Sequence, residues 1–168
     1  ADTIKGGAGI DIIYGDDSVD SGSDGNDILY GEDGSDTLYG GAGDDTFIGG
    51  ASDDKMYGGF EGSDAGAGDT VSYDGVDGSI TVDFVNNTAT GDGNDELYDI
   101  ENAIGSAQDD TFISKLSVSN KFDGNTGNEL NGDSISYEEL ELDENDVFIG
   151  DAAQDYITLD FSVDIDPK

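Results

Sequence analysis

The residues of this chain that could do chemistry are its carboxylates, and several of them recur in a fixed place. Asp11, Asp27, Asp36, Asp45 and Asp54 each hold the sixth place of a nine-residue block that opens on glycine. The blocks are GGAGIDIIY from Gly6 and, from Gly22, GSDGNDILY, GEDGSDTLY, GGAGDDTFI and GGASDDKMY. Carboxylates recurring among glycines offer hard oxygen donors, and glycine leaves nearby carbonyl oxygens uncovered. The chemistry on offer is cation binding. With no cysteine and no histidine in the sequence, the usual zinc donors, disulfides and His-based triads are excluded. An all-oxygen donor set suits calcium.

The elements that must position these carboxylates are short. Places seven to nine of each block put one large apolar residue (Ile13, Leu29, Leu38, Phe47 or Met56) between two outward ones. That is the period-two pattern of a very short strand. Glycines at places one, two and four mark the turn before it. Each block is then one turn and one strand. Two blocks make a coil of eighteen residues, with two sheets joined by two rows of turns. This predicts Asp27 above Asp45 on one edge and Asp36 above Asp54 on the other. Asp11 is expected to precede Asp27 on its edge, across the shortened unit from Gly15 to Ser21. The apolar eighth residues are expected to fill the narrow space between the sheets.

The blocks resemble the repeat-in-toxin (RTX) motif G-G-x-G-x-D-x-U-x, strongly over residues 4–59 and more weakly beyond. The resemblance implies an all-β fold, a right-handed parallel β-roll (a β-solenoid) with calcium ions between stacked turns. It also implies the ligands: aspartate carboxylates and backbone carbonyls of the glycine-rich places. Carried onto this sequence, the metal-site residues are Gly6, Gly7, Gly9 and Asp11 in the first block. They are Gly22, Asp24, Gly25 and Asp27 in the second, and Gly31, Asp33, Gly34 and Asp36 in the third. The last two blocks supply Gly40, Ala42, Gly43 and Asp45, then Gly49, Ala51 and Asp54.

Regularity breaks at Phe60 to Gly68, which divides the chain into a regular roll over 1–66 and a degenerate solenoid with a C-terminal cap over 67–168. In the second part, Asp69-Thr-Val-Ser-Tyr73 and Ile80-Thr-Val-Asp-Phe84 read as strands, with a tight turn at Asn86-Asn87. The nine-residue phase returns at GSAQDDTFI from Gly105 and GDAAQDYIT from Gly150. These place Asp110 and Asp155 at position six, and Asp69 is the further candidate ligand. Gln108 and Ala153 replace the fourth glycine, which weakens the case for calcium there. Residues 138–146 read as a short helix or an acidic loop, and Tyr156 to Val163 as a capping strand.

Forty-one acidic residues against five basic ones give a net charge of −36, a poor match to nucleic acid, which needs a basic surface to neutralise its phosphates, so no nucleic-acid partner is expected. No apolar run is long enough to span a membrane as a helix. A chain this acidic either stays disordered or folds around cations. The phased aspartates and apolar residues favour the second outcome. No stretch satisfies the EF-hand loop pattern. Paired acids such as Asp44-Asp45 lack a visible pocket, so the chain is read as a non-enzyme. The resemblance implies a calcium-binding module of an extracellular bacterial protein, exported by type I secretion and folded outside by calcium. The chain is read as a piece of a longer protein. An alternative is a polysaccharide-binding or adhesin module, supported by Tyr14, Tyr30, Tyr39 and Tyr57 at place nine.

Overall fold

The computed structural model of the chain describes residues 1–16, 25–59, 68–114, 120–125, 134–137, 147–149 and 156–159. Among the described residues there are sixteen strands and no helix. The regular part holds β1 (Thr3–Ala8), β2 (Ile12–Tyr14), β3 (Ile28–Asp33), β4 (Thr37–Tyr39), β5 (Thr46–Ala51) and β6 (Lys55–Tyr57). Then come β7 (Thr70–Ser72), β8 (Thr81–Asp83), β9 (Thr88–Thr90), β10 (Asn94–Tyr98) and β11 (Asn102–Ile104). The last are β12 (Thr111–Ser114), β13 (Lys121–Asp123), β14 (Ser134–Tyr137), β15 (Val147–Ile149) and β16 (Tyr156–Leu159).

Successive blocks of the regular part alternate between two sheets, each strand being followed by a turn that carries the chain to the other side. One sheet has the order β1-β3-β5-β7-β11-β13-β15, and the other β16-β14-β12-β8-β9-β10-β6-β4-β2. Pairing is parallel throughout the first sheet. This is a parallel β-roll. Register keeps the eighth places stacked: Ile4, Leu29, Phe47 and Val71 in one sheet, and Ile13, Leu38, Met56 and Leu97 in the other. Leu29, Leu38, Phe47 and Met56 are fully buried between the sheets, as the alternation requires. The core continues through Val82, Phe112 and Phe122.

The second sheet has two more strands than the first, and a hairpin accounts for both. The chain leaves β7, enters the second sheet at β8, and folds back through β9 to β10, with both of these pairings antiparallel. The turn predicted at Asn86-Asn87 closes β8 onto β9, and Asn87 takes the left-handed φ of 56° that asparagine tolerates. Strand β10 then pairs with β6 and β8 with β12, both parallel, so the roll resumes on either side of the hairpin.

One expectation from the spacing is corrected. Asp11 does not precede Asp27; it sits one coil before Asp36, with Ile12 beside Thr37 and Ile13 beside Leu38. From Asp11 to Asp27 the described strands make a single change of sheet, from β2 to β3. The partner one coil before Asp27 is Asp2. For the same parity reason the tyrosines do not share a face. Tyr14, Tyr39 and Tyr57 line the second sheet, whereas Tyr30 lies on the first, beneath the Lys5 ammonium 4.5 Å from its ring.

Candidate metal centre

The sixth-place aspartates form two rows, one on each edge of the roll. One row runs Asp2, Asp27, Asp45, Asp69; the other runs Asp11, Asp36, Asp54, Asp95. In each row one carboxylate oxygen does structural work. Asp45 is typical: its Oδ1 accepts from Asp27 N–H at 2.7 Å, one coil earlier, and its own N–H donates to Asp69 Oδ1 at 2.7 Å. Its carbonyl accepts from Thr70 N–H at 2.8 Å. The same pattern joins Asp36 to Asp54 at 2.7 Å and Asp11 to Asp36 at 2.8 Å. Aspartate suits this place because its short side chain reaches the backbone of the preceding coil.

The other oxygen is left over. Oδ2 of Asp11, Asp27, Asp36, Asp45 and Asp54 is buried and has no hydrogen-bond partner. A buried acceptor without a donor is costly, and a buried charge more so. Burial is the main reason the carboxyl of Asp45 is pushed up to about 6 and that of Asp54 to about 7, with neighbouring carboxylates adding to it and a backbone hydrogen bond opposing. A recurring buried oxygen of this kind calls for a cation.

The space around Oδ2 is held open by glycine at place one. A β-carbon built on Gly6 would stand 2.9 Å from both Asp11 Oδ2 and the Gly31 carbonyl oxygen. On Gly31 it would meet Asp36 Oδ2 at 2.5 Å and collide with the Gly49 carbonyl oxygen. Gly40 and Gly49 repeat the contact with Asp45 and Asp54. A carboxylate oxygen and, at Gly6 and Gly31, a carbonyl from the next coil thus border each glycine cradle. No group of three carboxylates converges among the described residues. A cation in these turns must therefore draw several ligands from backbone carbonyls or water. Such a mixed oxygen set fits calcium, which takes six to eight oxygens in flexible geometry.

Turn conformation separates the two rows. In the row of Asp11, all four turns are compact and place positive φ at positions two and four. The pairs are Gly7 and Gly9, Glu32 and Gly34, Gly50 and Ser52, and Gly91 and Gly93. In the row of Asp27 the compact turn is 40–45, with Gly41 and Gly43 at positive φ. Its neighbours are enlarged. Gly15 stands against Asp27 Oδ2, and Gly58 against Asp69 Oδ2, as place-one glycines do, but seven and six extra residues follow them before the aspartate. Gly22, Asp24 and Asp155 lie outside the described residues. The notions of a helix or loop at 138–146 and of a capping strand beyond Leu159 lie outside them too.

Two later aspartates are built differently. Asp110 is buried, but its Oδ2 accepts from Ser106 N–H at 2.6 Å, and its Oδ1 accepts from Ser106 Oγ at 2.9 Å and Ile80 N–H at 2.7 Å. Asp95, which the spacing does not single out, is the fourth member of the row of Asp11. Its Oδ1 accepts from Asp54 N–H at 3.0 Å, and its Oδ2 accepts from Tyr73 Oη at 2.8 Å. A usable signal is present: Gly91, Gly93, Asp95, Leu97 and Tyr98 keep places two, four, six, eight and nine. Thr90 at place one hides it. Asp2 and Ile4, nine residues before Asp11 and Ile13, are equally legible.

Comparison with known proteins agrees with this geometry. The family model described as RTX calcium-binding nonapeptide repeat matches residues 1–21 and 30–61 in four copies. No curated protein matches the chain. The repeats of that family bind calcium, and calcium is the cation that the buried carboxylate oxygens and glycine turns of this roll accommodate. Over residues 1–21 and 30–61 the chain is thus similar to the RTX calcium-binding nonapeptide repeat family.

Proposed function

We propose that this chain is a folding module whose compaction is switched on by calcium, in a bacterial protein exported by type I secretion. The observation that carries the reading is the series of buried Oδ2 atoms, from Asp11 to Asp54, that have no hydrogen-bond donor. Without a cation each of these turns holds an unsatisfied oxygen, and the roll is destabilised at every coil. Where free calcium is scarce the chain stays extended and passes a narrow export channel. Extracellular calcium then closes the turns. The module serves as scaffold, and catalysis resides elsewhere in the parent protein. Circular dichroism during a calcium titration tests this. The sheet signal is expected to rise cooperatively at roughly 10⁻⁴–10⁻³ M, the range of extracellular calcium modules. A sheet signal already complete in excess chelator would rule the reading out.

The alternative of a polysaccharide-binding face gains nothing from the tyrosines. Tyr14, Tyr39, Tyr57 and Tyr98 stack on one another with ring centroids 4.7–4.9 Å apart and planes within 14°. Ring faces packed on neighbouring rings are not platforms for sugar rings. Their packing supports the reading as a cross-strand ladder.

A further inference from the structure

The row of Asp11 contains four turns of one backbone conformation, yet its last member differs in what meets the carboxylate. For Asp11, Asp36 and Asp54, the glycine cradle is open and Oδ2 is buried without a donor. For Asp95 both features are reversed. Place one is Thr90, which has a β-carbon, and Oδ2 accepts a hydrogen bond from the Tyr73 hydroxyl at 2.8 Å. Tyr73 is itself buried, brought from the opposite sheet by the strand β7 that precedes the hairpin. The next aspartate along this edge, Asp110, meets the same end by another route, with Ser106 N–H and Oγ on its carboxylate.

We propose that Tyr73 and Ser106 take the place of calcium at the turns of Asp95 and Asp110, so that the metal-dependent ladder of this edge ends where the hairpin begins. A cation is demanded where a buried carboxylate oxygen has no donor, and a hydroxyl supplied by the protein removes the demand. The Asp95 turn keeps the positive φ values of Gly91 and Gly93, so backbone shape does not distinguish it from the turns before it. The side chains of Tyr73 and Thr90 do. Turns that are satisfied internally hold the wider coils in place, and the calcium-dependent coils stack onto them.

This inference rests on the calcium reading above, and its test separates the two. Calcium stoichiometry is measured by calorimetry on the full chain and on Asp54→Asn and Asp95→Asn. In Asp95→Asn the introduced amide can still accept from Asp54 N–H and can donate to Tyr73 Oη, which keeps the fold. Asp54→Asn is expected to lose a calcium equivalent, and Asp95→Asn to keep the parent's number. A second variant, Tyr73→Phe, leaves Asp95 Oδ2 without its donor. The midpoint of its calcium-induced folding, followed by circular dichroism, is expected to move severalfold to higher calcium. Loss of an equivalent in Asp95→Asn, or an unmoved midpoint in Tyr73→Phe, with uptake intact in the parent, would overturn this inference alone. A parent chain that takes up no calcium would overturn the calcium reading and this inference with it.

Discussion

Asp27, Asp36, Asp45 and Asp54 each divide the carboxylate between two tasks, with Oδ1 fastening one coil to the next and Oδ2 facing the glycine cradle. That division predicts different effects on calcium affinity for two substitutions. Gly40→Ala places a methyl against Asp45 Oδ2 and 2.8 Å from Phe47 Cζ, with no unusual φ to relieve. Overpacking of this kind costs about 1–3 kcal/mol, and chemical unfolding in saturating calcium reads it. Gly75→Ala meets no atom within 4 Å, and its penalty comes from a φ of 93° alone. Its calcium affinity is therefore expected to stay at the parent value, whereas that of Gly40→Ala falls.

The same residues set the response to pH. Asp45, Asp54 and Asp95 titrate near 6, 7 and 6 in the folded chain, raised from 3.8 chiefly by burial. Their folded values exceed their unfolded values, so between those limits the metal-free fold holds more protons than the unfolded chain. Its stability is thus greatest below about pH 4 and falls as pH rises toward about 7. Calcium reverses the slope, because ligating carboxylates must be deprotonated. Calcium affinity is expected to rise across this window, with protons released on binding. Titrations in buffers of different ionisation enthalpy would show it. An affinity that is flat from about pH 5 to 7 would contradict the assignment of Asp45 and Asp54 as ligands.

At the scale of elements, the strands are too short to stand alone, and stability comes from stacking identical places. Phe47 is fully buried within the stack, and Phe47→Ala should cost about 3–5 kcal/mol. The Lys55–Glu96 pair spans β6 and β10 at 2.7 Å on the exposed face. Its removal is expected to leave unfolding in calcium unchanged, since exposed pairs are screened by solvent. Much of this is legible in the sequence because the nine-residue phase encodes strand, turn and sheet at once. Leu29, Leu38, Phe47 and Met56, and the pairs Asp27/Asp45 and Asp36/Asp54, follow from phase alone. Phase fails between Asp11 and Asp27, where the sixteen-residue spacing suggests two changes of sheet and the chain makes one, from β2 to β3. Phase also fails at Asp95, where a β-hairpin delivers the chain to the turn and threonine replaces the expected glycine. The role of Tyr73 is out of reach of the sequence, since only the folded hairpin brings it to Asp95.

At the scale of the whole molecule, a net charge of −36 works against compaction, and the thin core between two sheets is its main apolar support. Screening by monovalent salt weakens the repulsion between exposed carboxylates but cannot enter the turns to satisfy buried oxygens. Small-angle scattering in chelator and in millimolar calcium therefore tests the central claim most directly. In calcium the radius of gyration is expected near roughly 15–20 Å, close to the value of about 15 Å for a compact chain of this length. In chelator with added sodium chloride it should exceed about 30 Å, moving toward the roughly 43 Å of a fully unfolded chain. Equal, small radii in both solutions would contradict the account.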